Sequence, residues 1–178
     1  MRQVPMLPIV VPVAAATMVF LLWRLARRGR LTVPRAAVAL ALCVYAAGII
    51  ANTVFPIFLD APRHHSAWTV YVTPFSDYEG NDAVTNIVVF VPVGILVHLL
   101  MARPSWWRVI GVAATISVSI ELTQFVTGNL LGGGHLADVN DLIFNVVGAA
   151  IGLGAVMLLV KVPRAAPLVD RFRWTSTV

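Results

Sequence analysis

Charge is scarce in this chain. Only 12% of its 178 residues are Asp, Glu, Lys or Arg, and 59% are hydrophobic. A soluble domain carries about 25% charged residues, so a water-exposed globule is excluded and a membrane protein is expected. One domain is the natural expectation at this length. Cysteine is nearly absent as well. The single Cys43 sits inside an apolar run, which rules out an intramolecular disulfide or a cysteine metal cluster and leaves a small core or lipid-facing residue. H-E-x-x-H, G-x-S-x-G, a P-loop and G-x-G-x-x-G are all missing. No internal repeat or low-complexity tract is present. The net charge of +5 does not point to nucleic acid, because the basic residues cluster beside apolar segments and read as topology signals.

Uncharged stretches are what the chain has in their place. They run between Arg2 and Arg24, Arg35 and Asp60, Asp82 and Arg103, and Asp141 and Lys161, and a further one after Arg108 is interrupted only by Glu121. Each is about long enough to cross hydrocarbon. The fold class expected is an all-α polytopic bundle of five transmembrane helices, near residues 6–25, 35–56, 83–102, 106–127 and 139–160. The first helix resembles a signal peptide, but its strong positive flank follows the apolar run instead of preceding it, so a retained helix is expected. Pro5, Pro8 and Pro12 blur its start. Residues 1–34 form the first helix and a basic loop, 35–160 the main membrane domain, and 161–178 a basic tail.

Arginine and lysine orient the bundle. Of 13 basic residues, Arg24, Arg27, Arg28, Arg30, Arg35, Arg103, Arg108, Lys161, Arg164, Arg171 and Arg173 fall on one side. Only Arg2 and Arg63 fall on the other. The positive-inside rule then predicts an external amino terminus and a cytoplasmic carboxyl terminus in a plasma membrane. The connection from Ile57 to Asp82 is external, with aromatic and polar residues alternating as suits a headgroup boundary. Within it T-V-Y-V-T-P-F reads as an extended segment stopped at Pro74. Asn81 or Asp82 is the expected cap of helix three, and Ser105 that of helix four. Pro92 is expected to kink helix three, and Gly94 to leave room for a neighbour.

The informative stretch is Ser117–Gly154. Glu121 and Gln124, three apart, share a helix face with Ser117. A glycine-rich turn follows, and then Asp138, Asp141, Asn145, Gly148 and Gly152 make one stripe of helix five. The two helices are expected to be antiparallel neighbours whose polar faces meet. Glu121 would lie roughly 10 Å below the external boundary. Asn86, at the start of helix three, would come to a similar level. A pocket lined by Glu121, Gln124, Asp138, Asp141, Asn145 and Asn86 is therefore expected in the outer third of the bilayer. Blander roles compete with this one. Asp138 and Asp141 fit a helix cap and a first-turn acid, and Gln124, Asn145 and Asn86 can be interhelical glue. The G-x-x-x-G spacing at Gly148 and Gly152 points to helix packing. His98 reads as a packing residue, and His64, His65 and His135 have no metal-site spacing. Glu121 differs from all of these, because an intramembrane carboxylate needs hydrogen-bond donors, a proton or a cation.

Four segments in order carry a resemblance. They are Thr73–Phe75, Asn86–Gly94, Ile120–Gln124 and Asp138–Gly152. Through them the chain resembles the VanZ-like family, the teicoplanin-resistance VanZ-type small bacterial membrane proteins, over about residues 36–160. The resemblance implies a place in the bacterial cell envelope and, for some members, antibiotic resistance to lipoglycopeptides such as teicoplanin. The family pattern usually has arginine where this chain has His135, and often an acid where Asn140 stands, so an anion-pairing role at His135 becomes pH-dependent.

Three readings stay open at this level. The first is non-enzymatic: an external acidic pocket binding an amphiphile, either a lipoglycopeptide antibiotic or an envelope lipid, with membrane lipids as neighbours and no cofactor. The second is a hydrolase or transferase acting on a lipid phosphate, with a divalent cation held by Glu121, Asp138 and Asp141 and His135 as the phosphate partner. The third is a structural or partner-binding module. Oligomeric state is not legible.

Overall fold

A computed structural model of the chain describes residues 2–59, 70–71, 73–75, 79–130 and 137–174. Five long helices alternate in direction: α1 Leu7–Arg27, α2 Val33–Val54, α3 Gly80–Leu100, α4 Trp106–Leu130 and α5 Val139–Lys161. All five are long and apolar enough to cross a membrane, and the molecule is a multi-pass membrane protein. A short helix, α6 (Ala166–Phe172), follows. Two-residue strands β1 (Val70–Tyr71) and β2 (Ala137–Asp138) pair in parallel, in register Val70 with Ala137 and Tyr71 with Asp138. The extended segment expected before Pro74 contains β1. The histidines His64, His65 and His135 lie outside the described residues.

Helix ends follow proline and capping chemistry more closely than they follow charge. α2 begins ahead of Arg35, because Pro34 suits the first helical turn. It ends at Val54, because Phe55 precedes Pro56 and is extended, with φ −105 and ψ 150. The cap expected at Asn81 or Asp82 falls on Glu79, whose carbonyl accepts from the Asp82 and Ala83 amides and whose side chain makes no cap bond. Ser105 does sit ahead of α4 and its carbonyl accepts from Arg108 and Val109, but its hydroxyl has no partner. α4 runs to Leu130, three residues beyond expectation; near its end Asn129 Nδ2 donates to the Phe125 carbonyl at 2.6 Å.

The most extensive helix contact is between α3 and α5. The two are parallel, so Ile87 lies at Gly148 and Val91 at Gly152. At both glycines, and at Gly94 opposite Ala149, the neighbouring backbone occupies the place a side chain would take. Small residues of this kind let membrane helices approach closely. Phe90, Val109, Ala113 and Ala149 close the core where α3, α4 and α5 meet. α1 packs chiefly on α2. The carboxyl-terminal segment folds back on the basic end: Arg35 Nε donates to the Arg173 carbonyl at 2.9 Å, and the Trp174 amide to that of Leu99 at 3.1 Å.

Candidate functional site

Where α2 stands away from α3, a cavity of about 600 Å³ opens toward the acidic end of the bundle. α4 contributes Glu121 and Gln124 to its lining, and α5 contributes Asp141 and Asn145. Asn86 and Asp82 enter from α3, and Tyr45, Asn52 and Thr53 from α2. No basic side chain lines it among the described residues.

Helical spacing explains how these groups meet. Ser117 and Glu121 are one turn apart on α4, as are Asp141 and Asn145 on α5, so two facing stripes are brought into register. Asn145 Nδ2 donates to Ser117 Oγ at 2.9 Å, and both residues are buried. Asn86 Nδ2 donates to Asp141 Oδ1 at 2.6 Å, tying α3 to α5. The Asp138 amide donates to Glu121 Oε2 at 2.9 Å. Glu121 is therefore held by the backbone at the mouth of α5. Its other oxygen, Oε1, is buried without a partner, and so is Gln124 Oε1. A buried acceptor left without a donor costs about 1–3 kcal/mol, so these two oxygens mark where donors are missing.

Asp138, expected in the lining, does not line this cavity. Its carboxylate caps α5 by accepting from the Asn140 amide at 2.8 Å and from Asn140 Nδ2 at 2.9 Å. Asn140 Oδ1 in turn accepts the Phe75 amide at 2.8 Å. Phe75 has φ 62, in the left-handed region, and its ring meets Phe144 edge-on with centroids 6.3 Å apart. The Thr73–Phe75 turn is thus pinned to the start of α5. Asn140 is fully buried, and its clasp of Phe75 was not foreseen from sequence; the pairing joins segments 65 residues apart. The contribution of α2 was missed too, although Asn52 and Thr53 form a polar pair at the end of an apolar run.

The four resemblance segments converge on this end of the bundle, and a family model of the description VanZ/LLP1 matches residues 41–160. The chain belongs to the VanZ/LLP1 family. The matched VanZ/LLP1 region begins within α2 and ends within α5, so it contains every cavity residue named above, while α1 and α6 lie outside it. No curated protein and no solved structure shows a significant match to the chain.

Chemically, the VanZ/LLP1 cavity offers carboxylates and amide oxygens. Among the described residues no group of three His, Cys, Asp or Glu side chains converges as a metal site. Of the hydroxyls that line it, Tyr45 donates to the Val89 carbonyl and Thr85 to that of Asn81 at 2.8 Å, while Ser117, beyond the lining, accepts from Asn145. Carboxylates and unpartnered oxygens suit binding of a donor-rich or cationic group.

Proposed function

We propose that this chamber is the external acidic pocket of a bacterial plasma-membrane protein. It binds an amphiphile with a cationic or hydrogen-bonding head, a lipoglycopeptide antibiotic such as teicoplanin or an envelope lipid, and so lowers susceptibility to the antibiotic. The observation that carries the reading is the pair of buried, unpartnered oxygens on Glu121 and Gln124, at a cavity that also holds Asp82 and Asp141. A volume of about 600 Å³ falls within the range of small-molecule sites. The crowding of basic residues at the opposite end supports an external position for the acidic end. Cysteines introduced at 28–32 on a Cys43→Ala background should resist outside labelling in intact cells, whereas those in 60–82 and 129–136 should react. Labelling at 28–32 would refute the orientation.

The working residues are tested by susceptibility to teicoplanin in a sensitive host. Glu121→Ala and Asp141→Ala should each abolish any protection that the wild type confers, at matched membrane levels and helix content. Equal protection by wild type and both variants would move the weight to a structural module. The interhelical bonds Asn145–Ser117 and Asn86–Asp141 favour that second reading for those four residues, but they leave the free oxygens of Glu121 and Gln124 unexplained.

A further inference from the structure

A second cavity, of about 410 Å³, adjoins the acidic chamber. Tyr45, Ile49, Thr53 and Ile120 line both spaces. From that shared wall the second cavity reaches Leu42 on α2 and Leu96 and Leu100 on α3, toward the basic end. Its lining is almost entirely apolar, and α4 shows why. Thr115, Ser119 and Thr123 recur every four residues and so fall on one face. Their hydroxyls donate to the carbonyls of Gly111, Thr115 and Ser119 at 2.8, 2.8 and 2.7 Å. Back-bonded in this way, they offer the cavity carbon and no free donor. Ala46, Thr115 and Ser119 are exposed, so the cleft opens sideways between α2 and α4.

An apolar space of this kind stays dry, and close packing does not leave it void inside a bilayer. Its apolar lining suits a hydrocarbon chain. Next door, Glu121 Oε1 and Gln124 Oε1 lack donors. We infer that the two cavities form one site for a single amphiphile with an ammonium-bearing head. The head sits in the acidic chamber, and its hydrocarbon chain passes the Tyr45 wall into the apolar cleft. This inference rests on the acidic-pocket reading and adds the chain's track, its lateral entrance and the sign of the head. With Asp82, Glu121 and Asp141 in the lining and no basic side chain there among the described residues, an ammonium head is favoured over a carboxylate or phosphate. Tyr45 itself is held at the junction, its hydroxyl donating to the Val89 carbonyl.

The test uses the full chain in detergent, with hexadecylamine, butylamine and hexadecanoic acid as probes. Wild type should retain hexadecylamine and bind hexadecanoate at least about tenfold more weakly. Ala46→Phe and Ser119→Phe, which fill the cleft, should weaken hexadecylamine about tenfold and leave butylamine unchanged; Glu121→Gln should weaken both amines. Hexadecylamine bound equally well by the two phenylalanine variants overturns the chain track and leaves the acidic pocket standing. Failure of wild type to bind either amine, or equal binding of hexadecanoate, overturns the ammonium head and this inference with it, and leaves the acidic pocket to a neutral hydrogen-bonding head, which the Glu121→Ala susceptibility test decides. Should the phenylalanine variants lose helix content, wild type decides the matter. A diazirine at the far end of the hexadecylamine chain must crosslink at Leu42, Leu96 or Leu100, and crosslinks confined to α1 overturn the track.

Discussion

Gly152 and Gly48 lie on two seams of the same bundle. A Cβ at Gly152 would run into the carbonyl of Val91, whereas one at Gly48 would meet nothing within 4 Å. The α3–α5 seam is closed down to backbone contact, and the seam between α2 and its neighbours is open enough for two cavities. Both seams are built from apolar helices, so hydrophobicity does not distinguish them. Inside a bilayer, lipid is as apolar as leucine, and helices associate by fit and by polar bonds. Where a glycine of one helix meets the backbone of the other the fit is good, and Asn86 and Asp141 add a bond across it. Where α2 presents Tyr45, Ile49 and Asn52, the helices stand apart and leave a cavity of about 600 Å³.

The contrast can be broken most severely at the closed seam. Gly152→Ala should destabilise the protein by about 1–3 kcal/mol, as overpacking does, and Gly148→Ala combined with it should cost more. Thermal unfolding in detergent, followed by loss of the monodisperse peak, measures this. A variant as stable as wild type would mean that α3 and α5 can separate without penalty, and the contrast would collapse. A smaller effect is expected at the rim between the seams. Asp138→Ala removes the cap of α5 and should cost about 1 kcal/mol, with any protection against teicoplanin that the wild type confers reduced far less than by Glu121→Ala. Loss of protection as complete as that of Glu121→Ala, at matched folding, would place Asp138 in the pocket's working set. The smallest effect, and one of opposite sign, belongs to Gly48→Ala. Nothing crowds the new methyl, and helix propensity should stabilise the protein by about 0.5–1 kcal/mol. Destabilisation at Gly48 would show that the open seam closes in the membrane.

Much of this was legible in the chain. Four charge-free runs of spanning length, and a fifth broken only by Glu121, yielded five helices, with ends displaced by at most three residues from the expected bounds. The i, i+4 stripes on α4 and α5 announced which polar residues would face each other, because helical periodicity is a local property. Less legible was the tail, read only as basic: Val169 and Phe172 of α6 pack against the cluster of Val38, Leu96 and Leu99, and the residues just after α6 bond to Arg35 and Leu99. Asn140 was passed over because its partner, the Phe75 amide, lies on a different loop and offers no spacing to read.

Sequence alone determined that the chain crosses a membrane, how many times, and that Glu121 needs partners there. Desolvation cost and helical rise depend only on residue type and separation along the chain. Only the tertiary structure decided that α3 lies parallel to α5 in backbone contact while α2 stands off. That choice depends on which surfaces fit across segments distant in sequence, and it is what turns a row of polar side chains into a chamber with an apolar cleft beside it.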